Sequence, residues 1–169
     1  LQELEKETGL ILSNSPTQFI SYEVVNALKK VEHSHKMLSL EKTKDVSDII
    51  SFAKNKPVLC MFKLDGLTCS LRYVDGTLVS AETRGDGYIG EDVLHNILAM
   101  KNVPGYIGYK GELIIDGEVI CKYQDFEPFA SMYKNPRNFA AGSVRLLNNQ
   151  ESANRNLSFI AWDVIKGFD

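Results

Sequence analysis

From residue 67 the chain alternates. Leu67, Cys69, Leu71 and Tyr73 are apolar, and Thr68, Ser70 and Arg72 between them are polar. A period of two marks a strand with one buried and one open face. Asp75-Gly76 then interrupts the pattern before residues 77–83 resume it. Such a dipeptide accepts φ > 0 at both turn positions, which a two-residue hairpin loop requires. An antiparallel β-hairpin is therefore the element that most constrains the fold.

Other segments fill in around it. Residues 112–121 and 157–165 read as further strands, and the apolar run 58–62 reads as a strand leading into the hairpin. Residues 45–55 place Val46, Ile49, Ile50 and Ala53 on one helical face. Short helices are expected over 90–97, 123–132 and 138–147, with Pro128 limiting the second. Residues 1–8 resemble the tail of a helix stopped by Gly9, and residues 13–17 are turn chemistry. Hairpins without regular βαβ units make the class α+β, with antiparallel sheets.

At 169 residues the chain is long enough for one domain with a real core. Its apolar runs are all too short to span a bilayer. Cys60, Cys69 and Cys121 show neither CxxC spacing nor pairing, so they read as buried thiols of a cytoplasmic protein. The net charge of −3 argues against a dedicated nucleic-acid binder. Residues 134–155 nevertheless carry four basic residues and one acid, Glu151, which suits a local contact with DNA.

Four motifs carry chemistry. Lys63-Leu64-Asp65-Gly66 puts an amine beside a glycine that permits close backbone approach. A lysine nucleophile must be neutral, and at an ordinary pKa only about one in two thousand is so at pH 7. Desolvation or neighbouring positive charge raises that fraction. Thr83-Arg84-Gly85-Asp86-Gly87 supplies a cation at a tight turn, suited to sugar or phosphate. Glu118 lies in a strand among Ile114, Ile115, Val119 and Ile120, where a carboxylate needs a partner for its charge. Arg137 and Arg145, eight residues apart, offer two guanidinium forks to phosphate from one helix. Glu91 and Asp92 read as first-turn helix acids with a structural role. His33, His35 and His95 lack metal-ligand or catalytic spacing and read as structural.

The ordered set resembles the adenylation (nucleotidyltransferase) domain of the NAD-dependent bacterial DNA ligases. The resemblance begins at Ser15-Pro16-Thr17-Gln18, passes through His35-Lys36-Met37-Leu38-Ser39-Leu40 and ends near Arg145. ATP-dependent ligases and capping enzymes share the lysine motif but differ around Arg84 and Arg137. The resemblance implies a nucleotidyltransferase core, ATP-grasp-like, of antiparallel sheets with flanking helices, spanning residues 1–169 as a partial domain. It implies Lys63 as the nucleophile that takes AMP from NAD, with Asp65 assisting nearby charge and magnesium. Ser39, Leu40, Met61, Arg84 and Glu118 are then adenosine contacts, and Arg137 and Arg145 contact the phosphates of nicked double-stranded DNA. No protein side chain is assigned as a metal ligand, and a monomer is expected.

Three departures accompany the resemblance. Met61 stands where the family usually has an adenine-reading glutamate, leaving backbone groups of Met61 and Phe62 for the adenine edge. Asp116 stands where the family often has arginine, and Glu41-Lys42-Thr43 replaces the commoner residues after Leu40. The family's nicotinamide-recognition subdomain and its oligonucleotide-binding, zinc-finger, helix-hairpin-helix and BRCT domains are absent from these 169 residues. The expectation is a fragment, inactive alone. The competing reading is a degenerate, non-catalytic module that binds adenine nucleotide or DNA. The joint presence of Lys63, Asp65, Arg84 and Glu118 speaks against it.

Overall fold

A computed structural model describes residue 7, residues 27–37 and residues 41–168. The expectations for residues 1–8 (Glu7 apart), for residues 13–17 and for Ser39 and Leu40 lie outside the described residues. The elements run β1 (Lys30–Glu32), α1 (Val46–Ala53), β2 (Leu67–Val74), β3 (Thr77–Thr83), β4 (Ile89–Glu91) and α2 (Leu94–Ile97). They continue with β5 (Glu112–Ile120), α3 (Tyr123–Phe126), a 3₁₀ turn (Glu127–Phe129), α4 (Pro136–Ser143), α5 (Asn149–Ala153) and β6 (Ser158–Lys166).

The expected hairpin forms the heart of a four-stranded antiparallel sheet in the order β3-β2-β5-β6. Asp75 and Gly76 both take positive φ, 47° and 88°, as a two-residue hairpin loop demands. β1 and β4 make a separate antiparallel pair.

The pleat sorts the side chains. Cys69, Leu71 and Tyr73 of β2, Ala81 of β3, Leu113 and Val119 of β5 and Phe159 of β6 are buried in the core. Ile97 and Phe139 close over them from the helices, and Val144 from the turn just past α4. Phe139 is the hub, with ring centroids of Phe129 at 4.6 Å, Tyr133 at 5.1 Å and Phe126 at 5.9 Å. The other face carries the polar set, in which Thr68 stands opposite Glu118, and Ser70 lies between Asp116 and Glu82.

Several expectations are corrected. Residues 58–62 form no strand, and Leu59 and Phe62 are exposed. An apolar run becomes a strand only where a neighbour pairs its amides and carbonyls, and none of the described strands does so. The stretch 90–97 is divided: Ile89–Glu91 pairs with β1, and only Leu94–Ile97 is helical. Pro128 converts the end of the 123–132 helix to a 3₁₀ turn, since proline lacks the amide that would continue it. α4 starts at Pro136, capped by the Asn135 side chain, and ends at Ser143, so Arg145 lies beyond it. The helix expected over 45–55 forms as α1, capped by the Asp45 side chain, yet Val46, Ile49 and Ile50 on its apolar face are exposed. Cys69 and Cys121 are buried, but Cys60 is exposed.

Candidate functional site

Strand β5 organises the site. Glu118 projects from the polar face of the sheet, and its carboxylate accepts hydrogen bonds from the Gly66 amide (3.1 Å) and the Thr68 hydroxyl (3.0 Å). The lysine motif is thereby pinned to the Gly117-Glu118-Val119 strand. This answers the question of what offsets a carboxylate in that strand: two donors of the opposing chain. Gly66 is obligatory here, because a Cβ at that position would stand 2.0 Å from the Val119 carbonyl oxygen.

Arg84 joins through its backbone. Its amide donates to the Thr68 carbonyl (2.9 Å), and its carbonyl accepts from Gly87 N (2.9 Å) and His33 Nε2 (3.0 Å). Asp86 braces the same turn by accepting from the amides of Ile89 (2.8 Å) and Tyr88 (2.9 Å). Those amides, Ile89 first, hold the Asp86 carboxyl below the usual carboxylate range. Lys63 itself is exposed, in irregular chain ahead of β2. The strand expected over residues 58–62 ahead of it is not formed.

Arg137 reaches the lysine motif, its Nη1 standing 3.3 Å from Asp65 Oδ1, with both side chains exposed. Arg145 has a different partner. Its Nε donates to Glu91 Oε2 at 2.5 Å and its Nη1 to the Ala141 carbonyl at 3.3 Å. At about one-third exposure on each side, the Arg145–Glu91 pair contributes at most about 1 kcal/mol to stability. Arg155 leaves the basic group altogether. It stacks on Phe129, Tyr133 and Phe139 at 5.2–5.6 Å and pairs with Glu151. Met61 is exposed beside the motif, with no glutamate in its place.

Sequence reasoning missed three contributors. His33 Nδ1 meets Glu82 at 2.9 Å, so this histidine ties the chain ahead of Met37 to β3 as well as to Arg84. His35 Nε2 meets buried Asp116 at 2.9 Å, hydrogen-bonding the residue that stands where the family often has arginine. Glu91 is a partner of Arg145 rather than a helix-cap acid. The one legible signal for that pair was the scarcity of acids in 134–155, where Glu151 is taken by Arg155.

Among the described residues no group of three or more His, Cys, Asp or Glu side chains is placed to hold a metal ion. No described helix is long and apolar enough to cross a membrane.

The profile of the NAD-dependent DNA ligase adenylation domain family matches residues 25–168. Curated relatives named DNA ligase show the same likeness. The Lachnoclostridium phytofermentans protein is 46% identical over 98% of this chain and 26% of its own length. The Ruminiclostridium cellulolyticum protein is 45% identical over the same shares, and one from Campylobacter jejuni is 37% identical over 95% and 27%. The chain thus spans about a quarter of the relatives it matches.

Proposed function

The chain belongs to the NAD-dependent DNA ligase adenylation domain family, and on that premise we propose that it is the nucleotidyltransferase core that captures AMP on Lys63. The Lys63 amine attacks the α-phosphorus of NAD. A nitrogen–phosphorus bond forms, the pyrophosphate bond breaks, and its electron pair leaves with nicotinamide mononucleotide. AMP then passes to the 5′-phosphate of a DNA nick, and attack by the 3′-hydroxyl expels AMP and seals the strand.

The observation that carries this reading is the Glu118 carboxylate bonded to Gly66 and Thr68. It gathers the lysine motif, the Gly-Glu-Val strand and, through Thr68, the Arg84 turn into one place. Glu118, Arg84 and the Met61 and Phe62 backbone take the adenosine, together with Ser39 and Leu40. Asp65 and Arg137 flank the reacting phosphate, and Arg137 and Arg145 take phosphates of the nick. Magnesium, when bound, neutralises phosphate charge and takes most of its ligands from the substrate and water. Because Lys63 is exposed, its desolvation belongs to the nucleotide-bound complex, in which the adenosine covers it.

The domain works within a longer, cytoplasmic, monomeric ligase. Orientation of a leaving group is worth up to about 7–11 kcal/mol in well-aligned cases, and on this reading the nicotinamide half is held by a part of the enzyme other than the Lys63 motif. The 169 residues by themselves are therefore expected not to react with NAD unaided. Incubating the full-length enzyme with NAD or with ATP, followed by peptide mass mapping, tests the reading. AMP on Lys63 from NAD and not from ATP is expected. Labelling by ATP, labelling of another residue, or AMP binding with no adduct overturns it, the last outcome in favour of a non-catalytic module.

A further inference from the structure

We propose that Glu91 is a positioning residue for Arg145, fixing its guanidinium in the orientation with which it takes a phosphate of nicked DNA; this rests on the reading of Arg145 as a DNA contact. Both ends of the pair are anchored. The Glu91 amide donates to the buried Thr83 hydroxyl (3.1 Å), and its strand is laddered to β1. On the other side, Asn96 Nδ2 donates to the carbonyls of Val144 (2.8 Å) and Leu146 (2.6 Å), the residues on either side of Arg145. His95 Nε2 donates to Leu146 as well, at 2.9 Å. Residues 91–96 thus grip the turn that carries Arg145 by backbone, and Glu91 grips the side chain itself.

The chemistry left over fits phosphate. A guanidinium has five N–H donors in a rigid fork. Glu91 takes the Nε donor and Ala141 takes one on Nη1. Three remain, two of them on Nη2, and the side chain is 36% exposed. A long flexible arginine aimed in advance loses less rotamer freedom when an anion arrives. So weak a surface ion pair adds little to folding, whereas a fixed fork is what bidentate recognition requires.

The test turns on sign. A carboxylate that merely sits near a DNA phosphate repels it, so removing its charge tightens binding. A carboxylate that aims the arginine does the reverse. Full-length enzyme carrying Glu91→Gln, Arg145→Ala or both is titrated against a nicked duplex already adenylated at its 5′-phosphate, which bypasses NAD. Thermal midpoints control for folding. With Arg145 present, Glu91→Gln weakens nick binding roughly 3- to 10-fold, the size of a coupling between contacting residues. In the Arg145→Ala background the same change is neutral or tightens binding. Should Glu91→Gln unfold the protein, Glu91→Asp replaces it: charge is kept, reach is lost, and weakening is again expected. Tighter binding by Glu91→Gln with Arg145 present, or equal weakening in both backgrounds, overturns the proposal. So does an Arg145→Ala variant that binds the nick as the unmutated enzyme does. Failure of the unmutated enzyme to seal the pre-adenylated nick is a separate result and overturns the ligase reading itself.

Discussion

Glu118 and Gly66 lie 52 positions apart in the chain and meet at 3.1 Å, carboxylate to backbone amide. That bond aligns the loop carrying Lys63 with the central strand of the sheet. A carboxylate that accepts two donors is committed to a fixed direction. The lysine motif is thus positioned by the sheet without being part of it.

Lys63→Arg is expected to abolish the lysyl-AMP adduct while leaving the fold unchanged. Arginine keeps the charge but stays protonated, so it has no lone pair to offer. Lys63 is exposed, so the stability change should stay within about 0.5 kcal/mol. Intact mass after NAD treatment and a thermal melt measure the two effects, and a persisting adduct excludes Lys63 as the nucleophile.

Gly66→Ala should destabilise the domain by about 1–3 kcal/mol, the usual cost of forcing an extra carbon into packed structure. The added carbon meets backbone, the Val119 carbonyl at 2.0 Å, which has no rotamer to move. Adenylation should fall along with stability, because the strain separates the lysine motif from Glu118. Denaturant unfolding checks the first effect, and an unchanged midpoint contradicts it.

Arg137→Ala should reduce nick sealing more than it reduces transfer of AMP from NAD to Lys63. Its guanidinium is exposed and tied only loosely to Asp65, at 3.3 Å, so it is available to phosphate. Losing one phosphate contact lowers the slope of log affinity against log salt by about one. Nick binding measured across a salt series gives that slope. An unchanged slope with slowed adenylation would place Arg137 in the nucleotide site.

Asp86 makes stability depend on acid. The amides of Ile89 and Tyr88 hold its carboxyl low, so the folded state favours the charged form. The stabilisation is present above the ordinary aspartate value of about 3.9 and is lost as pH falls through the depressed value. The gap in thermal midpoint between the unmutated domain and Asp86→Ala should therefore be widest near neutrality and close in acid. A gap that widens toward acid would contradict the assignment.

Alkylation should separate the three thiols. Cys60 is exposed, and Cys69 and Cys121 are buried. Burial pushes the Cys69 thiol well up and Cys121 up to about 11, which leaves little thiolate at neutral pH. Peptide mapping after brief iodoacetamide treatment should find Cys60 modified first. Equal modification of Cys69 in the native protein would mean the sheet is not packed as described.

The sequence alone determined the local elements whose signals are local. The period-two run 67–73, Asp75-Gly76 and residues 77–83 specified the hairpin because alternation and turn chemistry act between near neighbours. The helical spacing of Val46, Ile49, Ile50 and Ala53 likewise marked α1, and Lys63, Arg84 and Glu118 stood out because amine, guanidinium and strand carboxylate are chemically conspicuous. Only the tertiary structure decided which of these groups share a place. Glu118 under Gly66, His33 on the Arg84 carbonyl, His35 on Asp116 and Glu91 on Arg145 join residues 51 to 81 positions apart. Tertiary structure also withheld a strand from residues 58–62, whose apolar composition supplied the tendency but no partner. Pairing energy depends on proximity after folding, and one-dimensional spacing carries no information about which distant strands the sheet will set side by side.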